Sequence, residues 1–362
     1  IELIDPETGE TLKRTSEVID VWFDSGAMPY AQSHTLGGSM DWKPVPADYI
    51  AEGADQTRGW FYTMHAIANL LNDKPTNNYN NVTCLGLLMA ADGTKMSKSK
   101  GNIVSPWEVF AKFGADVARF WFYSVNGPGE TKNYDEKSLD EVNKKVFNPL
   151  RNVVSFYEMY KPDELPFINP FDSTNVLDQW ILANLQNLSQ TLVSNLDTYR
   201  VLEPARAIRE FINELSTWYV RRSRDRFKSD NTTDRDFALV TLQFVLDNLA
   251  RYMAPFAPFI AEEIYQQVRI EKFQESVHLE TWHTWTDKSR FIDTLEPMQT
   301  VRDIVTLGLE ARQKSDIKVR QPLASIKLSS IKLQEEYLDI IKDELNIKEI
   351  IIAIVKAPSK FP

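Results

Sequence analysis

Cysteine is almost missing from this chain of 362 residues: Cys84 stands alone. One thiol forms no internal disulfide. A long chain without disulfides fits a reducing compartment, so the cytoplasm is the expected location. Cys84 lies in the apolar run VTCLGLLMA, where a buried structural thiol is expected. That run is the longest apolar stretch and is too short to span a bilayer, so no membrane partner is expected. Histidine is scarce too, with four scattered residues. Together with one cysteine they offer no ligand pair at metal spacing, so no protein-bound metal is expected. No Ser-His-Asp signature is present. The chain opens on IELIDPETGE, without an initiator Met or a basic leader, and reads like the middle of a longer protein. Positive charge is in deficit: 41 Lys and Arg against 51 Asp and Glu give a formal net charge of -10. That argues against polyanion binding over the whole surface and leaves room for a local basic site.

What is present is a normal globular balance, 43% hydrophobic and 25% charged, on a length that suits two or three domains. EVIDVWFD (17–24) is β-rich and ends in Ser25-Gly26, which predicts a buried strand and a turn that Asp24 would cap. After a strand end near Gly53, Phe61, Met64, Ile67, Ala68 and Leu71 recur at helical spacing. NVTCLGLLMA (81–90) predicts another strand, and 107–125 predicts a helix interrupted at Gly114. This alternation points to an α/β nucleotide-type fold over 1–135. The pattern then changes. Leu177, Ile181, Leu185, Leu188 and Leu192 step by three or four behind a cap at Thr174 or Asn175; Ile208, Phe211, Leu215 and Tyr219, then Leu239, Leu242, Val245, Leu246 and Leu249, mark two further helices, and a fourth follows Pro258. Residues 136–296 are therefore expected to be an all-helical bundle, and 297–362 a junction helix with a small, truncated α/β segment.

One basic cluster breaks the acidic background: ADGTKMSKSKGN (91–102), with three lysines between Gly93 and Gly101. A lysine cluster is more often a solvated loop than a site. Here it follows a predicted strand, where α/β folds place ligands. Its serines, glycines and lysines suit phosphate. No Walker pattern occurs, so the loop is not a P-loop.

Lys95-Met96-Ser97-Lys98-Ser99 resembles the KMSKS signature of class I aminoacyl-tRNA synthetases. DVWFDSGAMPYAQ, EGADQTRGWFY, KMSKSKGNIVSP, WYVRRSRDRF, SVHLETW and IKVRQPL resemble isoleucyl-tRNA synthetases, in order and over nearly the whole chain. WYVRRSRDRF is similar to the archaeal/eukaryotic-type branch, which some bacteria also carry. The resemblance implies ligation of L-isoleucine to its tRNA through an adenylate, with ATP and Mg2+ as substrate and its ion, by a monomer. It implies that Lys98 contacts ATP with Lys95 as helper, within a loop that also offers Met96, Ser97 and Ser99. Lys100 lies outside the motif. The resemblance assigns Glu52, Gly53, Asp55 and Gln56 to the aminoacyl-adenylate, with Trp22 as a wall or simply a core residue. His65 is read as packed or solvated. The family's HIGH signature, H-x-G-H, does not occur. With the editing insertion it would precede residue 1, so a C-terminal-side fragment, inactive alone, is expected.

Residues 200–228 hold eight basic and four acidic residues. Trp218, Arg221, Arg222, Arg224 and Arg226 lie there, and aromatics among arginines suit stacked bases and phosphates. Core packing and ion pairing are the plainer readings of Tyr219 and Arg224; the resemblance favours tRNA. The alternatives are a valyl or leucyl relative, or a non-catalytic tRNA-binding module.

Overall fold

The computed structural model describes residues 3–13, 16–18, 20–32, 46–72, 74–283, 285, 290–329 and 331–353, and of Lys98 and Ala353 the backbone alone. Two compact units emerge, residues 1–103 with 125–135, and residues 104–124 with 136–362.

The first unit begins with a two-stranded antiparallel ribbon, β1 (Leu3–Ile4) and β2 (Thr11–Leu12). The strand expected over 17–24 is instead a short helix, α1 (Val21–Gly26), followed by α2 (Met28–Ala31). The reason is local. The Asp20 carboxylate accepts from Trp22 N at 2.7 Å and starts the helix, and that cap outweighs the β-branched and aromatic composition. β3 (Ala47–Gly53) leads through a 3-10 turn (Ala54–Arg58) into α3 (Trp60–Leu71) and then β4 (Tyr79–Leu85). β3 and β4 pair in parallel from Ala47↔Tyr79 to Gly53↔Leu85. Ile50, Phe61 and Met64 form the small core between sheet and helix. The single strand expected over 81–90 breaks in two. Gly86 N donates to Pro128 O at 2.9 Å, and a side chain at Gly86 would fall 2.3 Å from Glu130 O. The chain then restarts as β5 (Leu88–Met89), which pairs in parallel with β6 (Lys132–Asn133).

The second unit takes in α4 (Pro106–Phe113) and α5 (Ala115–Ser124), split at Gly114 with φ +86°. Asp116 of α5 accepts from Ile260 N at 2.7 Å and so caps a later helix. The Arg119 guanidinium binds the Pro255 and Phe256 carbonyls. α6 (Glu136–Val142) and α7 (Asn148–Tyr160) join through a π-helical turn at Asn143–Phe147. α8 (Val176–Leu196) starts at Asn175, whose side chain accepts from Leu177 N at 3.0 Å. α9 (Leu202–Glu214) runs through a second π-helical stretch, Leu215–Val220, into α10 (Arg221–Ser223). α11 (Thr232–Met253) and α12 (Pro258–Val268) complete the bundle, whose core includes Trp180, Ile181, Leu185, Tyr219, Leu246 and Tyr252. α13 (Leu295–Lys314), β7 (Leu323–Ser329), α14 (Glu335–Leu345) and β8 (Ile347–Ala353) form a helix and a parallel two-stranded α/β segment.

Candidate functional site

The lysine loop leaves the end of β5 and is tightly tied. Asp92 accepts from Thr94 N at 2.9 Å and from its hydroxyl at 2.8 Å. The Thr94 N–H and hydroxyl together hold the Asp92 carboxyl below its usual range. Ala90 N donates to Thr94 O, and Met89 bridges Lys95. The Asn102 amide crosses the loop: its Oδ1 accepts from Ser97 N at 2.9 Å, and its Nδ2 donates to Thr94 Oγ1 at 3.2 Å and to Lys95 O at 3.3 Å. Gly93 and Gly101 sit at φ +77° and +64°, conformations that suit glycine, and they turn the chain at both ends of the motif. Lys98–Lys100 form a 3-10 turn, with Lys100 N on Ser97 O and Oγ and the Ser97 and Ser99 hydroxyls 3.2 Å apart. The Lys98 side chain lies outside the described residues.

Beside β5, the buried Lys132 of β6 donates to Asn126 Oδ1 at 2.6 Å and Gly127 O at 2.8 Å. Burial pulls its pKa down, and Glu130 opposes that.

Glu52 and Gly53 close β3 at the C-terminal end of the parallel pair, where Glu52 is exposed. Gly53 needs the absence of a side chain, since a Cβ there would meet Asp55 Oδ1 at 2.5 Å. Gln56 Nε2 donates to Asp55 Oδ2, and Gln56 Oε1 accepts from Trp60 N at 2.9 Å to cap α3. Trp22 is 41% exposed, so it is not a core residue. Its ring lies against Gly59, as does the Gln56 side chain. The structure thus gathers Trp22, Gly53, Asp55 and Gln56 around one strand end. Cys84, expected to be buried, is exposed, because β4 carries it on a strand with no buried residue. His65 is exposed beside Asn69.

The arginine cluster is divided in its partners. Arg226 gives NH1 and NH2 to Asp178 at 2.7 and 2.8 Å and binds Asp234 as well. Tyr219 OH and Ser173 Oγ also donate to Asp178. Burial, reinforced by Asp178, pushes the Tyr219 phenol well above its ordinary range. Arg221 and Arg222 both donate to Glu344 Oε1 at 2.7 Å, and Arg222 also reaches Asp343. The half-buried Trp218 ring lies 5.9 Å from the Arg221 guanidinium and 5.7 Å from that of Arg302, which pairs with Glu214. Burial raises the Glu214 pKa although Arg302 opposes it. Arg224 and Lys228 are exposed, with no ion pair among the described residues. Sequence reasoning missed Glu344 and Asn102. Glu344 lies 122 residues from Arg222, with no local signal. Asn102 was legible as an amide directly after a glycine at the motif's end.

A parallel strand end carrying an acid, a tied lysine loop on a later strand, and a helical bundle further along the chain make a definite combination. Residues 2–134 match the class I tRNA synthetases (I, L, M and V). Residues 178–328 match the anticodon-binding domain of tRNA ligases. The isoleucine--tRNA ligase of Clostridium novyi (strain NT) is 44% identical over 97% of this chain and 34% of its own length. Along nearly its whole length the chain is thus similar to class I tRNA synthetases. The isoleucine--tRNA ligase of Deinococcus radiodurans is 37% identical over 94% of this chain and 33% of its own. The chain therefore spans about a third of the length of these curated relatives. The fold is that of synthetase structures. The LeuRS of an Agrobacterium radiobacter K84 LeuRS–tRNA–LeuAMS complex aligns with TM-score 0.58 at 20% identity, over 80% of this chain and 36% of its own. Mycobacterium tuberculosis methionyl-tRNA synthetase, in complex with methionyl-adenylate, aligns at 0.54 and 21%, over 70% and 54%. The α/β first part, helical bundle and small α/β segment expected from sequence are present. Among the described residues no group of three or more His, Cys, Asp and Glu side chains is placed to hold a metal ion, and no helix is long and apolar enough to cross a membrane.

Proposed function

We propose that this chain is part of an isoleucine--tRNA ligase, which joins L-isoleucine to its tRNA through an isoleucyl-adenylate made from ATP. The observation that carries this is 44% identity to the Clostridium novyi isoleucine--tRNA ligase over 97% of the chain. Residues 1–135 serve as one part of the adenylate-forming domain, 136–296 as the anticodon-binding bundle and 297–362 as a junction. The working location is the cytoplasm and the working form a monomer. WYVRRSRDRF supports the archaeal/eukaryotic-type branch.

In adenylate formation the amino acid carboxylate attacks the α-phosphorus and pyrophosphate leaves. Negative charge grows on the departing oxygens, where placed lysines act most strongly. Lys98, with Lys95, supplies that charge in this reading, and Met96, Ser97 and Ser99 line the phosphates; ATP arrives with its Mg2+. Glu52 suits the α-ammonium of isoleucine, and Gly53, Asp55, Gln56 and Trp22 border the adenylate. RNA contact centres on the exposed Arg224 with Lys228. Arg221, Arg222 and Trp218 join it to the extent that Glu344 releases them, and Arg226 supports the surface from inside.

The test is a chimaera in which the N-terminal part of the Clostridium novyi ligase precedes this chain. Isoleucine-dependent ATP–pyrophosphate exchange is expected from the chimaera and none from the 362 residues alone. Lys98→Ala should cut the exchange rate ~10²–10³-fold, and Lys100→Ala far less. Exchange driven by valine or leucine, or equal losses from the two lysines, would overturn the assignment.

A further inference from the structure

We propose that Asn102 is the positioning residue of the lysine loop, and that its one amide sets where the lysines project. For its catalytic consequence this rests on the ligase reading above; for the loop's order it does not.

The case rests on matching donors to acceptors. The Ser97 N–H can only donate and the Lys95 carbonyl can only accept. Asn102 meets both, so its amide fits in one orientation alone: Oδ1 toward Ser97 N and Nδ2 toward Lys95 O. The third contact agrees with this. The Thr94 hydroxyl spends its hydrogen on Asp92 Oδ1, which leaves its oxygen to accept from Asn102 Nδ2. Asp92, Thr94 and Asn102 therefore form a chain in which each donor finds an acceptor. Asp92 is fixed further by the Thr94 N–H. Gly101, at φ +64°, turns the chain back so that the residue after it reaches under the motif. The clamp grips the backbone on both sides of Met96, at Lys95 and at Ser97, immediately before the turn that carries Lys98. The Ser97 oxygens in turn receive Lys100 N. None of these bonds uses a lysine ammonium, so the clamp does not consume the charges of Lys95 and Lys100.

Asn102→Asp keeps the shape and removes the donors. It retains an acceptor for Ser97 N and sets oxygen against oxygen at Lys95. Thr94→Val keeps the backbone bond to Asp92 but removes the hydroxyl bond to it and the acceptor for Asn102, and Thr94→Ser restores both.

The first experiment measures amide hydrogen exchange of residues 94–100 in the chain itself. Faster exchange of the Ser97 and Lys100 amides is expected in Asn102→Asp and Thr94→Val, with the wild-type pattern in Thr94→Ser. Unchanged exchange in both disruptive variants overturns the clamp. The second measures isoleucine-dependent pyrophosphate exchange in the chimaera. There kcat should fall about ten- to a hundredfold in Asn102→Asp while the KM for isoleucine holds, because misplacing a catalytic charge costs rate. Wild-type kcat with a loosened loop overturns the positioning role. A wild-type chimaera with no exchange at all fails the ligase reading, and the hydrogen-exchange arm still decides the clamp.

Discussion

Asp178 is a fully buried carboxylate, and Ser173 Oγ, Tyr219 OH and both terminal nitrogens of Arg226 donate to it. Removing one partner of a buried ion pair leaves the other charge uncompensated. Arg226→Met should therefore lower unfolding free energy by about 3–5 kcal/mol. Tyr219→Phe should cost about 1–2 kcal/mol. Chemical denaturation of both variants checks this, and equal small losses would mean that solvent reaches Asp178. A second buried acid gives a pH signature. Asp247, paired with Arg251, has its pKa pushed up to about 6, first by burial and then by Glu280, against the pull of Arg251. Arg251 also binds Glu280, Tyr265 donates to Glu280, and His283 titrates low under burial and the Arg251 charge. A folded pKa above the ordinary 3.8 means that the folded state binds the proton more tightly. This group's contribution is then full below about pH 4 and is lost as pH rises toward 6. Stability measured relative to Asp247→Asn should fall by up to about 3 kcal/mol across that window and stay level above it. A flat difference would place Asp247 in water.

Among the elements, helices with long apolar periods were legible and short segments were not. α8 and α11 carry their leucines at the expected spacing, and Asn175 caps α8 as its chemistry requires. α1 was misread because a single capping carboxylate outweighs the β-forming Val21, Trp22 and Phe23 when the segment is short. The lysine loop announced itself by composition, but its internal bonds did not, since they depend on backbone turns at two glycines. Arg221, Arg222 and Arg226 read as a basic surface. The acids of Arg221 and Arg222, Asp343 and Glu344, come from far along the chain, and so does Asp178 of Arg226, whose second partner Asp234 is only eight residues away. Arg312 of α13 is the extreme case, a buried cation that binds four carbonyls, of Lys318, Gln321, Leu345 and Asn346. Two of these lie at the C-terminal end of α14, where the helix dipole favours a cation. Arg312→Met strands those acceptors, at about 1–3 kcal/mol for each left dry. Limited proteolysis should then cut within 315–322 sooner than in wild type, while the α8 and α11 cores stay resistant. Equal cutting rates would mean that the segment holds without Arg312.

For the whole molecule, the ligase reading proposed above makes RNA affinity depend on a few exposed cations rather than on the surface at large, because the net charge is -10. Arg224→Glu with Lys228→Glu should weaken tRNA binding and lower the slope of log K against log salt by about 0.7–0.9 for each phosphate no longer neutralised. Glu344→Gln should act in the opposite sense, because it removes the charge that holds Arg221 and leaves Arg222 with Asp343 alone as its anionic partner. Filter binding across a salt series checks both, and an unchanged slope in the double variant would move the RNA surface elsewhere. The parallel pair β3–β4 bears on a different property, the behaviour of the chain in concentrated solution. Parallel sheets are ordinarily covered on both faces. Here, among the described residues of the two strands, Ile50 alone is buried, and Val82 and Leu85 stand open. Beside them a groove of about 360 Å³ is walled by Phe61, Tyr62, Tyr79 and Val82. Exposed apolar faces with unpaired strand edges seek partners. Prepared alone, the chain should scatter light increasingly with protein concentration. Mild detergent should reverse this, and charged substitutions at Val82 and Leu85 should abolish it while leaving the helical bundle intact.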